Sequence, residues 1–267
     1  MSRLVSLPMY GVDRPAVDAF WRGLAPILRQ EGIKDVPDAL AWPADLSSHW
    51  RSPDLLLSQT CGYPLVEGLD AAVRVVGAFR YDAEGADGTG YRSFVVVRAD
   101  DPAVALEDLR GRAVGYNGTD SQSGYNALRA LVAPLAVRGR FFGPAFESGA
   151  HRRSLDFVRD GHADVAAIDC VSFALLRRYE PAAVEGLRVL ARTDLSPGLP
   201  LITARATSGP DLERIRHALE RAVFEPDLAE AREALLIAGF ERLSRADYAA
   251  TATMRDAAIA TGYPELA

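Results

Sequence analysis

Segments typical of strands and segments typical of helices alternate along nearly the whole chain, and this alternation restricts the fold more than any other feature. Apolar runs such as 54–58 and 94–97 have the length and composition of buried strands. Between the strand-like runs lie stretches with apolar residues at helical spacing, for example 13–28, where Asp13 is a suitable N-cap. The pattern predicts an α/β fold, and the continuous apolar runs predict mostly parallel sheets flanked by helices.

The order of these segments also predicts how the chain is divided. An N-terminal α/β unit is followed by a middle α/β unit and then by a largely helical return, and no linker rich in Gly, Ser or Pro separates them. We therefore expect a discontinuous first lobe, 1–93 plus 196–267, and a continuous second lobe, 94–195.

Charge and hydropathy exclude two classes of partner. The 267 residues carry a net charge of −6 and have a sequence pI near 5.3, so no overall field attracts nucleic acid or an anionic membrane. Apolar runs stay well short of the ~20 residues that a spanning helix needs, which argues against membrane insertion. The first strand-like stretch, 4–7, is not preceded by an apolar export signal, which leaves a cytoplasmic location open.

Familiar catalytic and metal-binding motifs do not occur. The Gly-rich segment 85–90 lacks the spacing of a dinucleotide-binding loop, no G-x-S-x-G elbow is present, and the four histidines form no metal-binding pair. The sequence therefore predicts no catalytic residue, no metal site and no cofactor.

One segment, 115–131, carries the chemistry that a small anion needs. A strand ends in the turn pair 117–118, and a helix then opens with two hydroxyl residues, an amide and a glycine. Helix starts offer unpaired N–H groups and the positive end of a dipole, so an anion fits there. Ser at a helix start is also commonly a plain N-cap, and both interpretations stay open from these residues alone. The four residues at the helix start are Ser121, Gln122, Ser123 and Gly124.

The order and spacing of several segments resemble the phosphate, phosphite and phosphonate substrate-binding proteins of ABC transporters. The resemblance covers nearly the whole chain: an aromatic before an apolar run, then 106–117, the S-x-S-G at 121–124, 148–169 and 239–248. It implies a type II periplasmic-binding-protein-like fold, in which a ligand cleft lies between two lobes.

In that family the Ser-rich helix start holds the oxygens of the phosphonate or phosphate group. The resemblance therefore implies ligand contacts for Ser121, Gln122 and Ser123, although Gln122 stands where the family often has a hydroxyl. A histidine that opens the next helix adds a donor in the family, and His151 matches it. Without the resemblance, His151 would be read as a solvated residue at a helix start.

Further ligand contacts are implied on both lobes. An aromatic that lines the cleft corresponds to Tyr91, and an acidic position opposite corresponds to Asp169, which could equally be a turn residue at a strand end. Family members that bind aminoalkylphosphonates have an acid where this chain has Leu199, which argues against such a ligand. Residues that follow two strands of the first lobe complete the expected set: Met9, Tyr10, Thr60 and Tyr63.

By resemblance, then, the chain binds a small phosphate-type anion for an ABC permease. It is expected to be a monomer with no catalytic activity, in the periplasm if it is exported. Two other functions on the same fold stay open: a ligand-sensing subunit, and a cytoplasmic enzyme like those of thiamin-pyrimidine synthesis. Neighbouring permease and ATPase genes would favour transport.

Overall fold

The computed structural model describes residues 3–69 and 71–267. Its strands, in chain order, are β1 Leu4–Ser6, β2 Leu55–Gln59, β3 Val73–Tyr81, β4 Ala86–Asp87, β5 Gly90–Tyr91, β6 Ser93–Arg98, β7 Val114–Tyr116, β8 Ala145–Glu147, β9 Val165–Asp169, β10 Leu187–Arg192, β11 Ser196–Pro197, β12 Pro200–Ala204 and β13 Ile237–Glu241. Its α-helices are α1 Arg14–Gln30, α2 Leu46–Trp50, α3 Gly62–Glu67, α4 Ala127–Val132, α5 His151–Arg159, α6 Cys170–Tyr179, α7 Gly209–Ala222, α8 Ala229–Ala234 and α9 Ala249–Ala260. The predicted α/β class is confirmed.

The chain forms two compact units. The first consists of Met1–Asp82, Asp87–Thr89 and Gly198–Tyr248, and the second of Ala83–Ala86, Gly90–Pro197 and Ala249–Ala267.

The compact units differ from the predicted lobes at the C-terminal end of the chain. We expected the whole of 196–267 in the first lobe, but 249–267 packs in the second unit, where Ala258, Tyr263 and Leu266 share a core with Leu128. A helical apolar pattern predicts that a face is buried and leaves open which core buries it.

In the first unit, a five-stranded sheet has the order β1-β2-β12-β3-β13. Helix α1 packs on this sheet through buried side chains that include Phe20, Trp21 and Leu24. The helix begins where the sequence predicts, because the Asp13 carboxylate accepts from the N–H of Ala16. The first two strands are parallel, so their carboxyl ends lie at one edge of the sheet.

In the second unit, the five-stranded sheet has the order β10-β6-β9-β7-β8. Strand β7 runs parallel to both β9 and β8, whereas β6 runs antiparallel to both β9 and β10. The helices that follow β7 and β8 therefore begin near one edge of the sheet, at its carboxyl end.

The expectation of mostly parallel sheets was wrong. In the first unit, β12 pairs antiparallel with β2 and β3, and β13 pairs antiparallel with β3. In the second unit, β10 pairs antiparallel with β6. Strand β6 is buried along most of its length, and its run Phe94 to Val97 looks like that of a parallel strand. A continuous apolar run indicates that both faces are covered, and it carries no information about strand direction.

Within the residues that the structure describes, none of the helices combines the length and the apolar character needed to cross a membrane.

Candidate functional site

The segment after β7 forms the turn and helix start that the sequence predicts. The N–H of Ser121 donates to the carbonyl of Gly118 at 3.1 Å, which closes the turn. The Ser121 hydroxyl then accepts from the N–H of Gly124 at 3.0 Å, so Ser121 is the N-cap. We call Ser121 to Gly124 the 121–124 turn.

The helix opens with a π-helical turn, Gln122–Asn126, before it continues as α4. The N–H of Asn126 donates to the carbonyl of Ser121 at 3.0 Å, which is a bond between residues five apart. The first turn is therefore one residue wider than an α-helical turn, a widening that proteins often have at functional sites.

Gly124 is needed in this turn for steric reasons. A Cβ atom at residue 124 would lie 1.9 Å from Oδ1 of Asn117 and 3.3 Å from Cε1 of His151. The absence of a side chain lets both neighbours approach the helix start closely. Asn117, Gly124 and His151 therefore meet at one place in the second unit.

His151 is the first residue of α5, and its ring reaches the 121–124 turn. Nε2 of His151 lies 2.8 Å from the Ser123 hydroxyl. Burial lowers the pKa of His151 to about 4, and the backbone carbonyl of Ala167 offsets only part of this effect. The imidazole is therefore neutral near pH 7. With the proton on Nε2, the neutral ring donates to the Ser123 oxygen and leaves the hydroxyl hydrogen for an anion; with the proton on Nδ1, Nε2 accepts that hydrogen instead.

Gln122 lies in the turn, but its side chain points into the second unit. Its Nε2 donates to the Ser196 hydroxyl at 3.0 Å, and its Oε1 accepts from Nδ2 of Asn126 at 2.8 Å. The side chain is completely buried. Both ends of the amide are therefore occupied by groups of the second unit.

Tyr91 and Asp169 both lie in the second unit, and each pairs with a strand residue that is hydrogen-bonded to the 121–124 turn. Tyr91 is buried in β5 and pairs with Ser196 of β11, the residue that Gln122 contacts. Asp169 pairs with Ser93 of β6, whose hydroxyl donates to the carbonyl of Ser123. The structure therefore brings both predicted residues near the turn.

The Asp169 carboxylate also has a structural role. Its Oδ1 accepts from the N–H groups of Val171 and Ser172, at 2.8 and 2.9 Å. Asp169 is therefore the N-cap of α6, as the alternative interpretation of the sequence predicted.

The four predicted residues of the first unit lie at one edge of its sheet. Met9 and Tyr10 follow β1, whereas Thr60 and Tyr63 follow β2, the parallel neighbour of β1. The N–H of Thr60 donates to the carbonyl of Pro200 at 3.0 Å. Tyr10, Thr60 and Tyr63 are buried and Met9 is half-buried.

Sequence reasoning missed a buried polar cluster in the first unit. Nε2 of His49 lies 2.8 Å from the Ser6 hydroxyl, which lies 2.7 Å from the Ser58 hydroxyl. Burial lowers the pKa of His49 below its usual range. Serines at the ends of two apolar strands were the available signal, but only the register of β1 and β2 brings Ser6 opposite Ser58.

A metal site does not emerge from the structure: residues 3–69 and 71–267 contain no group of three or more His, Cys, Asp or Glu side chains arranged to hold an ion.

Solved structures resemble this chain over nearly its whole length. The binding protein component of an ABC phosphonate transporter from Pseudomonas aeruginosa is 16% identical, with a TM-score of 0.76, and the match covers 97% of this chain and 88% of that one. PhnD1 from Prochlorococcus marinus, in complex with methylphosphonate, is 13% identical, with a TM-score of 0.76 and coverage of 96% and 97%. A Xanthomonas citri protein bound to ATP is 17% identical, with a TM-score of 0.74 and 98% coverage of both chains. The predicted type II periplasmic-binding-protein fold is confirmed.

Sequence comparison gives the family. No curated protein sequence matches the chain. The profile of the family described as "ABC transporter, phosphonate, periplasmic substrate-binding protein" matches residues 54–248, which is most of the chain. The chain therefore belongs to the family of periplasmic substrate-binding proteins of ABC phosphonate transporters.

Proposed function

We propose that this member of the family binds its phosphate-type anion at the 121–124 turn, with the hydroxyls of Ser121 and Ser123 and the ring of His151 as the donors. The observation that carries the proposal is the bond of 2.8 Å between Ser123 and His151 at a helix that opens with a π-turn. Hydrogen bonds to a charged acceptor are stronger than neutral ones, so a few fixed donors suffice for tight binding.

The neutral state of His151 fits this proposal. Burial holds the pKa of His151 at about 4, so the ring is uncharged near pH 7 and acts as a hydrogen-bond donor rather than a counter-ion. The positive end of the helix dipole then supplies the electrostatic complement of the anion. Tyr91 and Asp169 are proposed as further contacts, as are Met9, Tyr10, Thr60 and Tyr63.

We further propose that the protein binds its ligand without transforming it. A Ser–His pair becomes a nucleophile–base pair when a third group orients the imidazole from its other nitrogen. Nδ1 of His151 is buried, and the neighbour that acts on the ring is the backbone carbonyl of Ala167 rather than a carboxylate. This arrangement supports a donor pair for an anion rather than a catalytic triad.

Partner and location follow from the family as proposals. A substrate-binding protein of this family delivers its ligand to an ABC permease, and the family is periplasmic. A relative of the same fold was solved with methylphosphonate, and we propose a small phosphonate or phosphate as the ligand here as well.

Calorimetric titration of the purified protein with methylphosphonate, inorganic phosphate, phosphite and sulfate tests the proposed function. Wild-type protein should bind at least one phosphorus oxyanion, and Ser123→Ala should weaken that ligand by roughly tenfold or more, as expected for the loss of one hydrogen bond to a charged group. Ser154→Ala is the matched control, because Ser154 is a buried serine on α5 whose hydroxyl bonds to Ser148. Equal affinities of wild type and Ser123→Ala would exclude the 121–124 turn as the binding site.

A further inference from the structure

Arg129 is a buried cation of the second unit, on the helix that begins with the 121–124 turn. Only 4% of its surface is exposed, and it lies within α4. A guanidinium stays charged in proteins, so removing it from water costs free energy unless an opposite charge lies beside it. The charge of Arg129 therefore needs a counter-ion more than that of an exposed arginine does.

Carboxylates of the protein do not supply that counter-ion. Among residues 3–69 and 71–267, none of the ion pairs with an N–O distance up to 4.0 Å includes Arg129. The guanidinium donates instead to two neutral oxygens, the carbonyl of Pro264 at 2.5 Å and Oδ1 of Asn126 at 2.7 Å. Its Nε is buried and has no hydrogen-bond partner in the described part of the chain. Neutral acceptors satisfy individual N–H groups, and the net positive charge stays uncompensated.

Two other partly buried arginines of the second unit are paired with carboxylates. Arg98 lies 3.4 Å from Oδ1 of Asp164, and Arg112 lies 3.2 Å from Oδ2 of Asp101. Both arginine side chains are also more exposed than Arg129, at 30%. Arg129 therefore combines deeper burial with the lack of a carboxylate, which is an unusual and costly arrangement for a charge.

The guanidinium lies beside the helix start at which the anion is proposed to bind. It is bonded to Asn126, the last residue of the π-turn, and lies 5.4 Å from the centre of the Tyr125 ring. Arg129 follows Ser123 by six residues, which corresponds to about 9 Å along a helix, and both contacts direct the side chain toward the turn. A charge at that distance acts on an anion, because a protein interior screens poorly.

We propose that Arg129 supplies the compensating positive charge for the anion bound at the 121–124 turn, acting through its electric field and without contact with the ligand. The hydrogen bonds of Ser121, Ser123 and His151 fix the position of the anion, since they are directional, whereas the attraction of a charge is not. Arg129 therefore makes the site favour ligands with a net negative charge. The inference rests on the proposed function, because it concerns an anion at the same turn.

Titration calorimetry with methylphosphonate and with inorganic phosphate compares wild type with two substitutions that differ in charge. Arg129→Gln keeps an N–H donor and removes the charge, whereas Arg129→Lys keeps both a donor and the charge. Arg129→Gln should bind about tenfold more weakly than wild type, the effect of a unit charge about 10 Å from the anion at an effective dielectric constant of about 20. Arg129→Lys should stay within about threefold of wild type, because the charge is retained.

Arg98→Gln is the matched control. Arg98 lies at the opposite end of β6 from Ser93, whose hydroxyl donates to the carbonyl of Ser123, and its side chain is more exposed than that of Arg129. Removing the same charge from this position should leave affinity within about twofold of wild type. Thermal unfolding without ligand checks that each variant is folded at the temperature of the titration. If Arg129→Gln does not fold, Arg129→Met replaces it as the uncharged variant.

The outcomes separate the role of the charge from packing and from the proposed function. Wild-type affinity in the uncharged Arg129 variant overturns the inference, and so does an equal loss in that variant and in Arg129→Lys, since equal losses indicate packing. If Ser123→Ala weakens binding and Arg129→Gln does not, the anion site stands and only the role of Arg129 is removed. Failure of wild type to bind any of the oxyanions overturns the proposed function, and the role of Arg129 falls with it.

Discussion

Each unit of the protein contains a histidine bonded through Nε2 to a serine hydroxyl at 2.8 Å, and the first of the two is buried and the second half-buried. In the first unit the pair is His49 and Ser6, and in the second it is His151 and Ser123. Burial lowers the pKa of both histidines. The two pairs are chemically alike, and the backbone that carries the serine makes them different.

Ser6 lies in a strand, where the sheet uses the backbone N–H groups and the hydroxyl of Ser58 lies 2.7 Å away. Ser123 lies in the first turn of a helix, where N–H groups have no carbonyl within the helix. The same side-chain pair therefore lies in a sheet in one unit and at a helix start in the other. In our proposal, the position of the serine in its element, rather than its chemistry, decides which pair contacts the anion.

The largest expected effect tests this difference directly. Replacing both Ser121 and Ser123 by alanine should weaken methylphosphonate or phosphate by about 2–4 kcal/mol, because two hydroxyl donors to a charged ligand are lost. The matched pair Ser6→Ala and Ser58→Ala should lower the free energy of unfolding and leave affinity within about twofold. Calorimetry and urea unfolding on the two double variants measure both quantities. An affinity loss of similar size in the two would contradict the comparison.

Gly124→Ala is expected to act on the second unit alone. The new Cβ would meet Oδ1 of Asn117 at 1.9 Å, so the helix start or Asn117 must move, at a cost of about 1–3 kcal/mol in stability. Affinity for the anion should fall as the donors shift. Gly209→Ala is the control, because a Cβ at the start of α7 has no heavy atom within 4 Å. Wild-type affinity in Gly124→Ala would show that the close approach of Asn117 is not needed for binding.

The two histidines should differ in how much they make stability depend on pH. The pKa of His151 is about 4 in the folded protein and near 6.5 when unfolded, so the unfolded state binds the proton more readily. The free energy of unfolding therefore does not depend on this group above about pH 6.5, and it falls by about 3 kcal/mol as the pH drops to 4. His151→Gln should flatten the stability profile between pH 7 and 4.5, and His49→Gln should flatten it less. Identical profiles for wild type and His151→Gln, from urea titrations, would disprove this assignment.

The smallest expected effect concerns the aspartates that cap the helices near each histidine cluster. Asp169 accepts from two N–H groups at the start of α6 and is buried, whereas Asp45 caps α2, accepts from the N–H of Ser48 and is exposed. Asp169→Ala should cost about 1–2 kcal/mol in unfolding free energy, and Asp45→Ala should cost less. Thermal unfolding ranks the two, and a larger loss for Asp45→Ala would reverse the expected order.

Much of the local structure could be predicted because it depends on neighbours in the chain. The Asp13 cap, the helix start at Ser121 and the position of His151 as the first residue of α5 are set by short-range hydrogen bonds and by apolar spacing. The strand over 54–58 is found at Leu55–Gln59. The family assignment used the order of such segments, and order is visible without coordinates.

Features that depend on residues distant in the sequence could not be predicted from the sequence. Gln122 was expected to face the ligand, but its amide bonds with Asn126 and with Ser196, 74 residues away. A glutamine has the same composition and spacing whether it points outward or inward. Only the folded structure shows the partner that decides the direction of the Gln122 side chain, because β11 places Ser196 beside the start of the helix.

The sequence by itself determined the α/β class, the family and the residues of the helix start, because periodicity, capping and motif order are local properties of the chain. The tertiary structure decided three things. It set strand direction, it placed 249–267 in the second unit, and it paired each serine with its histidine. The physical reason is that these outcomes depend on which buried surfaces and polar groups meet across long sequence separations. The type of a residue shows that it will be buried or hydrogen-bonded, but it does not show which residue it will contact.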